Sequence, residues 1–405
     1  MKRAASPHYD WVVLHKSLAA CLIVKNEEAF LPTSLASVRP FVDEVFVYDT
    51  GSSDSTIDVA KGLGATVISG WWDENFASAR NRALEYVSCD WVLSIDADEL
   101  LIGDPPGLRS QIDSLGNENL LSLTARYKCS NELGGDFDSP AIRIFKRGSA
   151  LWKGSIHEEL VEVEPSLLPL RKVSFKTAHI LDLSYQDPQA TAAKAERNIA
   201  ICEKEKANLD RSLCSDADYY RLMLQLARSF VGAHRYDEAI ESLSEIAQNA
   251  PKGILRQIAM EFLARIHLDR DSPDTVLSLA EELKAASSYN QYADWLAAQA
   301  LVKLGRYEEA YQLIKPLSCV IDSQMHNYGT GKLEEMKGLI CGLCNKEDEA
   351  IEHLSVAVFD YGLASGNLRI LLGLVGKSRP KELVHLAELI KIQFPEEFQE
   401  QNYFS

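Results

Sequence analysis

WVLSIDADELL, Trp91 to Leu101, changes character in its middle: an apolar run suited to a buried strand meets three carboxylates, Asp96, Asp98 and Glu99. Like charges this close repel unless a positive partner or water intervenes. On an extended chain Asp96 and Asp98 project to one side. Hard divalent cations such as Mg2+ or Mn2+ prefer oxygen ligands, often take one or two carboxylates and leave room for phosphate oxygens. A solvated turn at a strand end, where Asp is common, is the plainer reading of the same letters.

Upstream, SLAACLIVK, EVFVYDT and ATVIS read as further strands. They are apolar nearly throughout, as strands covered on both faces tend to be. Between them EEAFLPTSLASV, DSTIDVAKGL and FASARNRALEYV carry apolar residues at helical spacing, and Asp54 stands where a side chain caps the second helix. Repeated β-α-β units predict an α/β, Rossmann-like, mostly parallel sheet with right-handed crossovers. Ligands of such sheets gather beyond the carboxyl ends of the strands. Lys25, Asn26 and Glu27, then Asp49, then Asp96 and Asp98 fall there.

Other segments add candidate chemistry. In YDTGSSDST (48–56), Asp49 ends a strand, Gly51 permits a tight backbone, and Ser52 and Asp54 lead into a helix. This suits a nucleoside whose base or ribose donates to a carboxylate, although it is not the G-x-G-x-x-G fingerprint. Arg80 and Arg82 precede the acidic strand, and one of them can neutralise a diphosphate; Arg82 reads rather as part of an exposed helix face. In RIFKRGSALWKGSIHEEL (143–160), His157 and Glu158 follow a Gly-containing turn, with Glu158 suited to general-base work on an acceptor. His179 follows another β-rich run and can ligate a metal as neutral imidazole. Cys341 and Cys344 sit on apparent helix without a second Cys pair, which favours packing over zinc.

Beyond about residue 190 helical periodicity takes over. HRYDEAIESL (234–243), GRYEEAYQLI (305–314) and NKEDEAIEHL (345–354) align on Ala239, Ala310 and Ala350. The stretch ending at Pro251 has the length and the aromatic, small-residue and proline positions of a tetratricopeptide repeat. The gap between the first two echoes leaves room for a degenerate repeat near ILRQIAMEFLARIHLDRDSPDTVLSLAEELK. The expected division is 1–190 catalytic, 191–215 a helical linker and 216–405 an all-α repeat array. Such arrays bind partners or self-associate, so a homodimer is expected.

Bulk properties narrow the classes. The chain of 405 residues carries a formal net charge of -17, which opposes nucleic acid and anionic membranes. No apolar run reaches the ~18 residues of a membrane span, and the N-terminus lacks the pattern of a secretory leader. Eight scattered cysteines do not make a disulfide scaffold. A cytoplasmic, reduced protein is expected.

ACLIVKNEEAFL, VFVYDTGSSDST, ASARN and LSIDADE stand in the order and spacing of the family 2 glycosyltransferases, inverting enzymes of the GT-A fold. IRIFKRG, WKGSIHEEL, AHILDLSY, ERNI and the repeats resemble the subgroup that includes bacteriocin peptide S-glycosyltransferases and lipopolysaccharide-core glucosyltransferase-like proteins. The resemblance covers about residues 17–250, with a looser match beyond. It implies a metal-dependent inverting hexosyltransferase with a nucleotide-sugar donor, UDP-linked, and Mn2+ or Mg2+. The implied acceptor is a peptide or protein side chain (Cys, Ser or Thr), or alternatively a lipopolysaccharide-core or cell-surface polysaccharide.

Residue by residue, the resemblance implies a donor site of Lys25, Glu27, Asp49, Ser52, Asp54, Arg80 and Asp96, with Asp49 on the base and Arg80 near the diphosphate. Asp96, Asp98 and His179 become the metal set, with Asp98 the direct ligand. Glu158 becomes the base toward the acceptor, and His157 shapes its pocket. The sequence departs from the pattern at Thr50, where a second acid is usual, and after His179, where a Gly before the Tyr is missing. A tetratricopeptide scaffold that has lost catalysis is the rival from another class; the presence of Asp49, Asp96, Asp98 and Glu158 speaks against it.

Overall fold

A computed structural model describes residues 15–127, 136–163, 170–183, 188–286 and 291–400. The beginning of the N-terminal stretch and Tyr185 of the AHILDLSY segment lie outside the described residues. Contacts divide the chain into two compact units. The first takes in residues up to 125 together with 141–183, and the second takes in 126–140 together with 184–405.

The first unit opens with alternating strands and helices: β1 (Leu18–Val24), α1 (Leu31–Val38), β2 (Glu44–Asp49), α2 (Thr56–Gly62), β3 (Thr66–Ser69), α3 (Phe76–Leu84) and β4 (Trp91–Ser94). The strands pair in parallel in the order β3-β2-β1-β4, and the register brings Val24 level with Asp49 and Cys21 level with Ser94. The carboxyl ends of β1, β2 and β4 therefore share one side, as the β-α-β pattern required. β1 is buried almost end to end, which explains its continuous apolar run. The Asn75 side chain caps α3 by accepting the Ser78 N–H at 2.8 Å. Asp54 lies just ahead of the α2 cap position and accepts the Thr56 N–H at 3.0 Å.

The chain then builds β5 (Glu99–Gly103), α4 (Pro105–Ser114), β6 (Leu120–Tyr127), β7 (Phe137–Lys146), β8 (Ala150–Lys153), β9 (Glu159–Glu162) and β10 (Lys172–Asp182). The sheet continues β4-β7-β6-β10-β5, with β7 antiparallel to β4 and β5 antiparallel to β10; β8 and β9 pair separately. The sheet is thus mixed, parallel in its first half. β5 follows β4 after only Ile95–Asp98 yet lies at the far edge. Five chain steps reach at most ~17 Å, whereas four strand spacings in a flat sheet need ~19 Å. The sheet has to curl for the acidic turn to make the crossing.

The second unit is helical. α5 (Pro188–Asn208), which fills most of the expected linker, packs on α6 (Asp216–Gly232). Hairpins follow: α6 with α7 (Tyr236–Asn249), α8 (Ile254–Asp269) with α9 (Pro273–Ala286), α10 (Gln291–Lys303) with α11 (Tyr307–Ile314), and α12 (Thr330–Leu343) with α13 (Glu347–Ser355). The helices α14 (Asn367–Ser378), α15 (Leu383–Gln393) and α16 (Pro395–Glu400) complete it.

One local device closes all four hairpins. His234, Asp271, Gly305 and Asn345 each adopt positive φ, and the residue after each sends its N–H back to a carbonyl of the preceding helix at 2.8–2.9 Å. This is the Schellman arrangement, which satisfies carbonyls left over at a helix C-terminus. Five residues further on lie Ala239, Val276, Ala310 and Ala350, all fully buried. The α8–α9 hairpin, whose sequence carries no Ala-aligned echo, therefore follows the same geometry with Val276 in the small-residue position. Cys341 is buried and Cys344 half-buried within this helical packing, and neither is bonded to another cysteine.

A loop between α11 and α12 departs from the repeat. Asp322, its side chain wholly buried, accepts N–H groups of Gln324 and His326 at 2.9 and 3.0 Å and the Tyr328 hydroxyl at 3.1 Å. Glu261 of α8 accepts both the N–H and the hydroxyl of Ser323. Asp138 exchanges backbone bonds with Asn327, and Phe137 packs on the His326 ring at 4.4 Å.

Candidate functional site

The loops beyond β1 and β2 are bonded into one surface. Asn26, in the left-handed region at φ 58, donates its N–H to Ser52 Oγ at 2.8 Å, and its side-chain oxygen accepts the Ser53 N–H at 2.8 Å. Glu27 donates its N–H to Thr56 Oγ1 at 2.7 Å, and the Glu28 carboxylate accepts the Ser55 N–H at 2.8 Å. Asp49 is buried and accepts the Gly51 and Ser52 N–H groups, so its carboxylate also shapes the turn it begins. Hydrogen bonds to Thr56 lead the causes that hold Asp54 below the ordinary carboxylate range. Thr50 is buried and donates to the Val24 carbonyl, a structural use that an acidic residue would not serve. Lys25 is exposed at the rim.

Beyond β4 the charges form a ladder. Arg80, 6% exposed on α3, sends Nη2 to Asp96 Oδ1 at 2.7 Å, Nε to Glu158 Oε1 at 2.5 Å and Nη1 to Ser94 Oγ at 3.2 Å. Its guanidinium also lies over the Trp152 ring, 5.2 Å from the centroid. Burial works against its charge, and Asp96 and Glu158 hold it well above the ordinary guanidinium range. On the far side of Asp96, Arg143 approaches Oδ2 at 3.9 Å and donates to Glu99. The order is Glu158, Arg80, Asp96, Arg143, Glu99, carboxyl alternating with guanidinium. Arg80 therefore stands between Asp96 and Glu158.

The 154–158 segment is tied to α3. Ser155 and Gly154 carbonyls accept the Phe76 and Ala77 N–H groups, and Asn81 exchanges two bonds with the Trp152 backbone. This holds Glu158, whose side chain is 11% exposed, against Arg80. His157 is exposed and at φ 47. Arg82, read above as an exposed helix face, grips Asp73 through both terminal nitrogens and stacks on Trp71 at 4.5 Å. Its charge is consumed in latching the loop after β3.

The strand register separates His179 from the acidic turn. His179 lies opposite Ile102, while the Leu183 N–H donates to the Asp98 carbonyl at 3.0 Å. Along the strand, Leu183 lies four residues beyond His179, which corresponds to ~13 Å. Among the described residues no group of three or more His, Cys, Asp or Glu side chains is arranged to hold a metal. What the turn offers is two carboxylates, Asp96 and Asp98. That fits a cation whose remaining ligands are phosphate oxygens and water, and not a cage built by protein alone.

Sequence reasoning missed Arg143 and Asp182 and gave Glu99 no binding role. Glu99, 1% exposed, accepts the Asp96 N–H at 2.9 Å. Burial pushes its carboxyl up, and Arg143 opposes that shift. Arg143 arrives from β7, antiparallel to β4, and Asp182 lies opposite Glu99 on β10. Arg143 carried one signal, a lone charge in the apolar run AIRIF.

Residues 20–160 match the family model described as Glycosyl transferase family 2, so this stretch is a domain of that family. A "TPR repeat-containing protein" of Synechococcus elongatus is 44% identical over 97 residues, 24% of this chain and 24% of the relative. The "SPbeta prophage-derived glycosyltransferase SunS" of Bacillus subtilis is 28% identical over 188 residues, 45% of this chain and 43% of SunS. Among solved structures, glucosyl-3-phosphoglycerate synthase from Mycobacterium tuberculosis in complex with Mn2+ and UDP-glucose is 19% identical, covering 46% of this chain and 77% of that one, with a TM-score of 0.33. The chain spans 24 to 30% of the length of the first curated relatives it matches. Among the described residues no helix is long and apolar enough to cross a membrane.

Proposed function

We propose that this chain, which carries a family 2 glycosyltransferase domain, transfers a sugar from a UDP-linked donor to a Cys, Ser or Thr side chain of a peptide or protein, with inversion. The observation that carries the reading is the alternating ladder around Asp96, set at the same strand ends as Asp49 and Glu27. It assembles the residue types that a nucleotide-sugar transfer needs on the side of the sheet where α/β ligands gather.

In this reading Asp49, Ser52 and Glu27 hold the nucleoside on the bonded surface between β1 and β2, with Lys25 and Asp54 at its rim. Asp98, supported by Asp96, is the seat of Mn2+ or Mg2+, which supplies a Lewis acid for the charge that builds on the departing diphosphate. Arg80 sets a buried positive charge beside that turn without reorganisation during the reaction. Glu158 takes the proton of the attacking thiol or hydroxyl as the glycosidic bond forms. The sugar–phosphate bond breaks in the same displacement and its electron pair leaves with UDP. His157 orders the loop that carries Glu158. The helical array selects the acceptor over an extended surface, as repeat arrays do.

The test is release of UDP from a panel of UDP-sugars, with and without Mn2+, in the presence of Cys- or Ser-bearing peptides or a lipopolysaccharide core. Mn2+-dependent release stimulated by a peptide is expected. Stimulation only by the glycan moves the acceptor to that class, and neither release nor binding of UDP makes the chain a scaffold.

A further inference from the structure

The turn Asp96-Ala97-Asp98-Glu99 is closed twice between the same two residues. The Glu99 N–H donates to the Asp96 carbonyl at 3.1 Å, and Glu99 Oε2 accepts the Asp96 N–H at 2.9 Å. The other oxygen, Oε1, takes the Arg143 guanidinium, whose Nη1 is 3.9 Å from Asp96 Oδ2. The turn is also gripped from outside, because the Asp96 carbonyl accepts from Ser34 Oγ at 3.3 Å and the Asp98 carbonyl accepts from the Leu183 N–H at 3.0 Å. A carboxylate buried this deeply is costly unless its oxygens are bonded. Here both are bonded, one to the start of the turn and one to the cation that also faces Asp96.

We propose that Glu99, with Arg143, is the positioning residue of the donor–metal turn: it fixes the spacing of Asp96 and Asp98 and keeps Arg143 from claiming the Asp96 carboxylate. The inference rests on the function proposed above. Glu99 touches neither donor nor acceptor and acts through the two aspartates, as residues behind metal ligands commonly do. Two properties of Glu are required together. Its reach lets one oxygen accept the Asp96 N–H, and its second oxygen accepts from Arg143. Gln keeps the reach but has one acceptor oxygen for two donors; Asp keeps both acceptor oxygens and is one methylene too short.

The test is calorimetric titration of UDP into the whole chain, with and without Mn2+. For the unaltered protein Mn2+ is expected to tighten UDP binding. Glu99→Gln and Glu99→Asp are each expected to reduce that Mn2+-dependent gain by about 10- to 100-fold. Metal-free UDP affinity is expected to stay within about twofold, because the nucleoside surface between β1 and β2 is untouched; it also reports that the variants are folded. Should Glu99→Gln fail to fold with Arg143 left unpartnered, Glu99→Gln with Arg143→Met removes the pair together and is expected to fold without the gain. The full Mn2+-dependent gain in Glu99→Gln or in the double variant overturns the proposal. An unaltered protein that binds no UDP under either condition removes the proposed function instead.

Discussion

Asp96, Glu99 and Glu158 in the α/β unit face guanidinium groups, whereas Glu261 and Asp322 in the helical unit lean on hydroxyls and backbone amides. The two solutions have different consequences. A buried carboxylate and the guanidinium it bonds depend on each other, so removing either strands its partner. A carboxylate bonded to neutral groups is held in place with no second buried charge depending on it. Burial pushes both kinds up: Glu99 to about 8 with Arg143 opposing, and Glu261 to about 7 with Ser323 opposing. Asp322 lies between the two cases: burial raises it, and the adjoining His326 more than compensates. Charge pairing is placed where charged ligands are expected, and neutral bonding where the chain only has to hold a loop.

Arg80→Met breaks the comparison most severely. It strands Asp96 and Glu158 together and is expected to cost ~3–5 kcal/mol of stability in urea unfolding. A loss below ~1 kcal/mol would show that the ladder is no stronger than a surface pair. Asp98→Ala is expected to leave the unfolding midpoint near its original value, because the residue is only half-buried, while transfer falls about a thousandfold, or ~4 kcal/mol. Undiminished UDP release in that variant would sink the metal assignment.

Glu261→Gln tests the other side of the comparison. The folded-state value is raised above the ordinary 4.5 to about 7, so the folded protein binds the proton more tightly than the unfolded chain does. Stability is then greatest below about 4.5 and falls as pH rises through 7. The Gln variant should be the more stable by up to ~3 kcal/mol at pH 8, with the advantage gone near pH 4.5. A pH-independent difference in melting temperature would refute this. The smallest effects belong to the hairpin turns. Gly305→Ala should cost ~1 kcal/mol and Asn345→Gly should gain ~0.5 kcal/mol, because both positions are left-handed. Equal effects of either sign at both positions would remove φ as their cause.

The parallel half of the sheet was legible because each strand is buried on both faces and each helix carries its own period. LAACLIV needs no partner to be recognised. The antiparallel half was not. β7, FDSPAIRIFK, is half-buried over much of its length and reads as strand only once β4 lies beside it. Asp49, Asp96, Asp98 and Glu158 were found because charged residues at strand ends and after glycine turns stand out. The pairing of Glu99 was hidden because its partner Arg143 lies 44 residues away. The left-handed turns show the converse. Gly305 announces itself, but Asp271 heads a repeat without the Ala alignment, and its equivalence emerges from backbone geometry alone.

The short crossing from β4 to β5 has a consequence for the order in which the protein forms during synthesis. β1 to β4 can pair as soon as they have emerged, since each lies near its neighbour in sequence. β5 has to wait for β10, which ends at Asp182, and the Asp98 carbonyl waits for Leu183. Closing so long a loop is entropically slow compared with the local pairings. The acidic turn is therefore translated early and completed late: a nascent chain stopped at residue 170 carries Asp96, Asp98, Glu99 and Arg143 but lacks the strand that seats them.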